Sequence, residues 1–393
     1  QWVALGHEVH VVTALPWYRN HQVVPGWGGK LVRYERTPWG SITRIHPFPA
    51  KSKANLLLRA VAFVAFSVIA GVRAVAVRRH TGRDARVQHR GVDAVVAMSP
   101  PLTLGTVGWL VARLRRTRLI FNVQDVFPDA AIATGAVRNK LVIALASWLE
   151  RFTYRRASAV VVLSPDLQRN VRSKIGAGLA ERVHVIENFV DVAGITPLDR
   201  MTSYRRELGI GSEVVVMYAG NVGFSQSLEL LIEFARRTPQ VTVLINGAGV
   251  ALASLRASAA AVTNVRFGEY QPEARLAEVL ATGDIHVVSL RAGLASVSVP
   301  SKTYSILAAS RCVVAAVDGD TEIDRLVTRA GAGISVAPDD VDALCAALGS
   351  LVSDPARRLA LGRAGRSYVE QHPTARDVAG AYVRLLPDSL SNS

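Results

Sequence analysis

Only two cysteines, Cys312 and Cys345, occur in 393 residues. So few exclude a disulfide scaffold, and the lack of any CxxC or Cys/His cluster removes a zinc site, which fits a reducing compartment. The nine histidines show no metal-ligand spacing, and neither an HExxH pattern nor a Ser/His/Asp order is present. Membrane-spanning length is missing as well. Within the most apolar segment the uncharged run covers residues 60–72, short of the ~20 residues that cross a bilayer. The basic, apolar, small-residue order of a signal peptide is absent at the start, as are short repeats and low-complexity tracts. Without a helix-turn-helix, zinc finger or aromatic RNP-type strand, nucleic acid is not an expected partner.

Acidic residues are scarce in one half only. Residues 1–195 hold 27 Lys/Arg against 11 Asp/Glu, a net +16, whereas residues 196–393 are close to neutral at −1. A half this basic expects a polyanionic surface such as an anionic membrane or a lipid-linked phosphate.

Half of the residues are apolar or aromatic, and short Val/Ile-rich runs alternate with longer helical stretches. The runs are HEVHVVT, VDAVVAMS, RLIFNVQD, SAVVVLS and RVHVIEN, then EVVVMYAG, VTVLING, NVRFGEY, IHVVSL and CVVAAV. Strands of this kind are buried on both faces of a parallel sheet. The expectation is α/β, with two doubly wound, Rossmann-like domains over residues 1–195 and 196–375 and a helical tail over 376–393 that returns to the first domain. Gly194, Pro197 and the change in charge density favour a boundary near residues 191–200. The chain opens at Gln1 on what reads as a helix end and then a strand.

Residues 14–54, rich in Trp, Pro, Gly and basic side chains, read as a long functional loop or a small β excursion. Residues 56–79 read as an amphipathic helix with Leu58, Val61, Val68, Ile69 and Val72 on its apolar face. Arg78, Arg79, Arg83, Arg86 and Arg90 follow it, which suits an interfacial helix against anionic headgroups. Lys174 reads as an exposed cation on a first-half loop.

Ligands of open parallel sheets sit where strand ends meet loops and helix starts. Three junctions in the second half look prepared for phosphate. Residues 218–226 end a strand in Gly220 and Gly223, which permit close backbone approach. Residues 245–249 carry a GxG, Gly247 and Gly249, without the third glycine of a dinucleotide fingerprint. Residues 291–302 place Arg291 before and Lys302 after a Pro-Ser step, with Ser301 able to cap the helix that follows. Phosphate-cradling loops without an evident base point to group transfer from an activated phosphate ester.

The order GHEVHVVTALPWY, NVQDVFPD, ENFVD, YAGNVGFSQSLELL, INGAG, VPSKTYSILAAS and DGDTEIDRLV resembles retaining glycosyltransferases of family four, of GT-B fold, and most of all the bacterial colanic-acid and O-antigen type. The resemblance covers nearly all of the chain. It implies two Rossmann-like domains facing across a cleft, the first of which is expected here to lack the strand and glycine-rich loop that the family carries before the helix ending in GHEV. It further implies a nucleotide-sugar donor, UDP-linked, held by the second domain and a lipid-linked or polysaccharide acceptor held by the first. No catalytic metal is implied, and the place of work is the cytoplasm, peripheral to the inner face of the plasma membrane. Carried over by position, Gly220, Asn221 and Gly223 lie along the diphosphate, and Gly247 and Gly249 line the nucleotide pocket. Lys302 with the backbone at Ser301 and Thr303 holds the β-phosphate, while Gln124 and Asp125 face the sugar and acceptor. Four positions depart from the family. Asn221 and Gln226 stand where an Arg and a Lys are usual, Gln124 where a His is, and Ser305 where a ribose-binding Glu is. Arg291 and Lys302 are then the available cations. A GT-B epimerase, or a chain that binds a nucleotide or membrane without catalysis, are the competing readings.

Overall fold

The computed structural model describes residues 1–17, 23–49, 56–77, 91–135 and 137–386. The chain divides into two units: residues 1–187 with 376–393, and residues 188–375. The division falls a few residues before the stretch 191–200 expected from composition. Arg79, Arg83, Arg86 and Arg90, with Arg78, lie outside the described residues.

The first unit contains two sheets. β1 (Val9–Ala14), β2 (Val32–Thr37) and β3 (Gly40–Ile45) form one in the order β1-β3-β2, with β1 parallel and β2 antiparallel to β3. Within the stretch that reads as a loop or β excursion, residues 32–45 are thus a hairpin added to β1. The second sheet, β4 (Ala94–Ser99), β5 (Arg118–Val123), β6 (Ala159–Val162) and β7 (Val183–Val185), is parallel throughout in sequence order. Helices α1 (Leu56–Val75), α2 (Thr103–Arg115), α3 (Asp129–Ala133), α4 (Lys140–Arg156) and α5 (Pro165–Ile175) link the strands. Local chemistry sets two helix starts: the Asn139 side chain accepts the amides of Leu141 and Val142, and Ser164 accepts that of Leu167 with Pro165 in the first turn.

In the second unit α6 (Ser203–Glu207) precedes β8 (Val215–Ala219), α7 (Glu229–Arg237), β9 (Thr242–Asn246), α8 (Leu252–Ser258), β10 (Val265–Gly268) and α9 (Leu276–Thr282). β11 (Ile285–Ser289), α10 (Lys302–Ala308), β12 (Cys312–Ala316), α11 (Glu322–Arg329) and β13 (Gly333–Val336) follow, then α12 (Val341–Val352) and α13 (Pro355–Glu370). Six parallel strands run in the order β10-β9-β8-β11-β12-β13, the doubly wound pattern that opens a ligand crevice between the first and fourth strands of the domain. β9, β11 and β12 are buried along their whole length, which is why they read as continuous apolar runs rather than alternating ones.

From Arg376 the chain belongs to the first unit again, in helix α14 (Ala375–Val383). Tyr382 packs with Ile120, Ala159 and Val161, and its ring meets Trp2 edge-on at 5.6 Å. The Trp2 indole donates to the Ala379 carbonyl at 3.2 Å, and Asn122 bonds the Tyr382 hydroxyl.

Candidate active site

The reversal of strand order lies between β8 and β11, and the loops that leave these two strands are bonded to each other. Arg291 N–H donates to the Ser225 carbonyl at 2.9 Å, and the Arg291 Nε donates to the Phe224 carbonyl at 2.6 Å. Its remaining guanidinium nitrogens include one on the Glu229 carboxylate, at the start of α7. Arg291 therefore clasps the β8 loop to the β11 loop, whereas its position before a Pro-Ser step had pointed to an uncommitted cation for phosphate.

Two carboxylates fix the β11 loop from the other side. Asp339 accepts the Ala292 amide at 3.0 Å and bonds the Ser227 hydroxyl, and Asp318 accepts the Gly293 amide at 2.8 Å. Neither aspartate is singled out from the sequence, although Asp318 opens the segment DGDTEIDRLV, because each acts on groups far away along the chain.

Lys302 opens α10 and is the cation these loops leave without a carboxylate among the described residues. Its Nζ stands 3.6 Å from the centroid of the Tyr218 ring, and a Cβ on Gly220 would meet it at 3.7 Å. Burial pushes the Lys302 ammonium down to about 7, since a desolvated cation favours its neutral form. Tyr218 is buried, its hydroxyl donates to the Asn221 carbonyl at 2.6 Å, and burial raises its pKa.

The other residues singled out from sequence are placed as follows. Ser301 makes no side-chain cap and is exposed; the expected capping bond fails because Ser301 already has helical backbone angles. The turn is held by Thr303, whose hydroxyl donates to the Pro300 carbonyl at 2.9 Å. Ser305 is half-buried one turn further on. Asn221 is exposed, and the Gln226 side-chain oxygen accepts the Gly223 amide at 2.9 Å while its Nε2 donates to Ser225 at 3.0 Å. Gln226 thus braces its own loop.

Gly247 and Gly249 are where the β9 loop passes under the β8 loop. Gly220 N–H donates to the Asn246 carbonyl and Val222 N–H to that of Ala248, both at 2.9 Å. A Cβ would lie 1.9 Å from the Gly220 oxygen at position 247, where φ is +156°, and 2.1 Å from the Val222 oxygen at position 249. The GxG is thus required by loop-on-loop packing at the crevice. Gln124 and Asp125 belong to the first unit, just past the end of β5, where the Gln124 Nε2 donates to Asn122 at 2.8 Å.

Comparison with known proteins agrees with this geometry. The family described as "Glycosyl transferase 4-like domain" matches residues 1–188, and "Glycosyl transferases group 1" matches residues 213–354. WcaI of Escherichia coli, a glycosyl transferase assigned to colanic acid biosynthesis, is 27% identical over 88% of this chain and 85% of its own length. A GDP-mannose-dependent alpha-(1-6)-phosphatidylinositol monomannoside mannosyltransferase of Mycolicibacterium smegmatis is 29% identical over 43% of this chain and 47% of its own. Among solved structures, sucrose-phosphate synthase from Thermosynechococcus elongatus matches with a TM-score of 0.72 at 19% identity, over 98% of this chain and 89% of that one. Anabaena Alr3699/HepE in complex with UDP-glucose matches with a TM-score of 0.64 at 16% identity, over 81% of each chain. The six-stranded crevice with its glycine loops and the agreement along both halves have one meaning: the chain belongs to the family-four type of GT-B glycosyltransferases, enzymes of glycan synthesis, and resembles its colanic-acid and O-antigen members.

Proposed function

We propose that this enzyme is a retaining hexosyltransferase that takes its sugar from a UDP-linked donor and passes it to a lipid-linked or polysaccharide acceptor. It works without a catalytic metal, peripheral to the cytoplasmic face of the plasma membrane. The observation that carries the reading is Lys302: a desolvated ammonium at the strand-order reversal, beside Gly220 and without a carboxylate partner among the described residues. A diphosphate set along the Gly220–Gly223 backbone supplies the missing anion. As the bond from the anomeric carbon to the β-phosphate oxygen breaks, negative charge grows on the leaving group, and a preorganised cation there acts chiefly on the transition state. Thr303 and Ser301 contribute the backbone beside Lys302. Ser305 stands on the ribose side, and Gln124 and Asp125 are assigned to the sugar and acceptor.

UDP is favoured by the HepE complexes with UDP and UDP-glucose; a lipid acceptor is favoured by the phosphatidylinositol mannoside named for the mycolicibacterial relative and by the net +16 of residues 1–195. The test is thermal protection by UDP, GDP and dTDP in the presence of EDTA, followed by transfer assays. UDP is expected to protect best, the product to keep the anomeric configuration by NMR, and Lys302→Ala to lower kcat by ~10²–10³-fold. Protection by GDP alone overturns the donor, inversion overturns the stereochemistry, and near-native turnover of Lys302→Ala overturns the phosphate site.

A further inference from the structure

Three helices of the first unit lie side by side, with α2 in the middle. On one side, the Ser67 hydroxyl of α1 bonds that of Thr103 at 2.7 Å, and Gly71 packs on Val107. On the other, Thr106 bonds Thr153 of α4 at 3.3 Å, and the Trp109 and Phe152 rings meet edge-on at 5.0 Å. Beneath, Gly108 lies against Ala97 and Leu119 of the sheet. The outer side of this layer is apolar on all three helices. Val61 and Val68 on α1, Leu110 and Leu114 on α2, and Leu141, Leu145 and Trp148 on α4 are each 49–82% exposed. The α4 residues follow each other by four and three positions, which is a single stripe.

An apolar face this broad marks an interaction surface, and charge decides which kind. α1 and α2 contain no acidic residue, and the one on α4, Glu150, is buried against Lys174. Arg73, Arg113, Lys140, Arg151 and Arg155 of the same layer are all exposed. Two copies joined through this face would bring like charges together, whereas anionic headgroups would meet the cations while the leucines and Trp148 enter the acyl boundary. No helix among the described residues is long and apolar enough to cross a membrane, so the layer would lie on the surface.

We infer that the outer face of α1, α2 and α4 is a docking surface for an anionic phospholipid bilayer, with the Leu141, Leu145 and Trp148 stripe as its apolar anchor. The inference rests on the reading of a membrane-borne acceptor, and its test uses neither donor nor acceptor, so the two fail separately. The full chain is floated with vesicles of phosphatidylcholine alone or mixed with phosphatidylglycerol, at low and high salt. Binding is expected only with phosphatidylglycerol, and salt should weaken it. Leu145→Ser/Trp148→Ser should reduce it by at least about tenfold. Because the Trp148 ring stacks on Phe152 at 5.5 Å, Leu145→Ser alone, at a position 64% exposed, is the companion variant that should weaken binding without moving the melting temperature. Arg113→Gln/Arg151→Gln/Arg155→Gln should remove the preference for the anionic lipid. Absence of binding by the native chain, equal binding by the Leu145/Trp148 variant, or a native dimer that this variant dissolves would each overturn the assignment.

Discussion

Lys302 holds its ammonium 3.6 Å from the ring centroid of Tyr218, and the two side chains come from α10 and β8, which flank the reversal of strand order. A ring face attracts a cation by ~0.5–2 kcal/mol but does not neutralise it. The Tyr218 hydroxyl is already given to the Asn221 carbonyl, so it cannot serve as counter-ion. The pair is a cation kept in place and left short of negative charge, the condition that suits the diphosphate proposed for this site.

Affinity for a nucleoside diphosphate should therefore depend on pH. Burial pushes the Lys302 ammonium down to about 7, and a bound phosphate favours the ammonium. Affinity should fall as pH rises above about 7, by up to about tenfold per pH unit. The stability effect has the opposite slope: a lysine whose folded pKa lies below its unfolded value leaves the folded state with fewer protons, so stability rises with pH between about 7 and the ordinary lysine range. Titration calorimetry with UDP across this range should show the slope in the native chain and none in Lys302→Met. Equal slopes would assign the titration to a group other than Lys302.

Arg291 should act through position rather than by touching phosphate. If its task is to hold the β8 loop by Glu229 and the Phe224 carbonyl, then Glu229→Gln reproduces part of the effect of Arg291→Gln on kcat, and the double variant is no worse than Arg291→Gln alone. The exposed ion pair contributes little to stability, within about 1 kcal/mol, so melting temperatures should barely move. Additive losses in kcat would return Arg291 to the phosphate.

The ten strands visible as Val/Ile runs are all present; β5, β6, β8, β9, β11 and β12 are buried along nearly their whole length and so need no alternation to be recognised. β13, Gly333–Val336, escaped notice: it is a half-buried edge strand of four residues, and its apolar content is too small to read as a run. The pair β2 and β3 was legible only as a loop or β excursion, because VRYERT and GSITRI carry polar residues on both faces and form no apolar run. At the site, the glycines and Lys302 were legible by their place after strands. Tyr218 was visible only as the end of β8, and Asp318, Asp339 and Glu229 were not legible as site residues, since what each does depends on a loop that is adjacent only in the fold.

The GxG should be needed for folding before it is needed for binding. At Gly247 a methyl group meets the Gly220 carbonyl oxygen at 1.9 Å, with φ at +156°, so neither the side chain nor the backbone can yield without parting the two loops. Gly247→Ala should cost about 1–3 kcal/mol, read by urea unfolding. Gly293→Ala is the useful contrast: its φ is +80°, but nothing lies within 4 Å of the added carbon, so only the backbone term remains and the loss should be smaller.

The strongest stability prediction concerns Lys174, which sequence reading placed on an exposed loop. It lies in α5, 17% exposed, with its Nζ 2.8 Å from both Asp129 and Glu150. Glu150 is 1% exposed and also accepts the Tyr154 hydroxyl at 3.0 Å. Desolvation raises the Glu150 pKa, and the charge of Lys174 works against that rise. Lys174→Ala leaves a carboxylate buried beside Asp129 without its cation, at a cost of about 3–5 kcal/mol. The sign of the pH dependence follows from the raised pKa. Between the unfolded carboxyl range and the folded value the folded state holds the extra proton, so stability is greatest at low pH and is lost as pH rises through the folded pKa. Removing Lys174 lifts that pKa further, so the damage should grow from acid to neutral pH, and Glu150→Gln in the same chain should restore most of the loss. Urea unfolding of the native chain, Lys174→Ala and Lys174→Ala/Glu150→Gln at about pH 5 and about pH 8 reads both effects. A loss that is the same at both pH values, or that Glu150→Gln leaves untouched, would mean that Lys174 stabilises α5 by packing and not by neutralising Glu150.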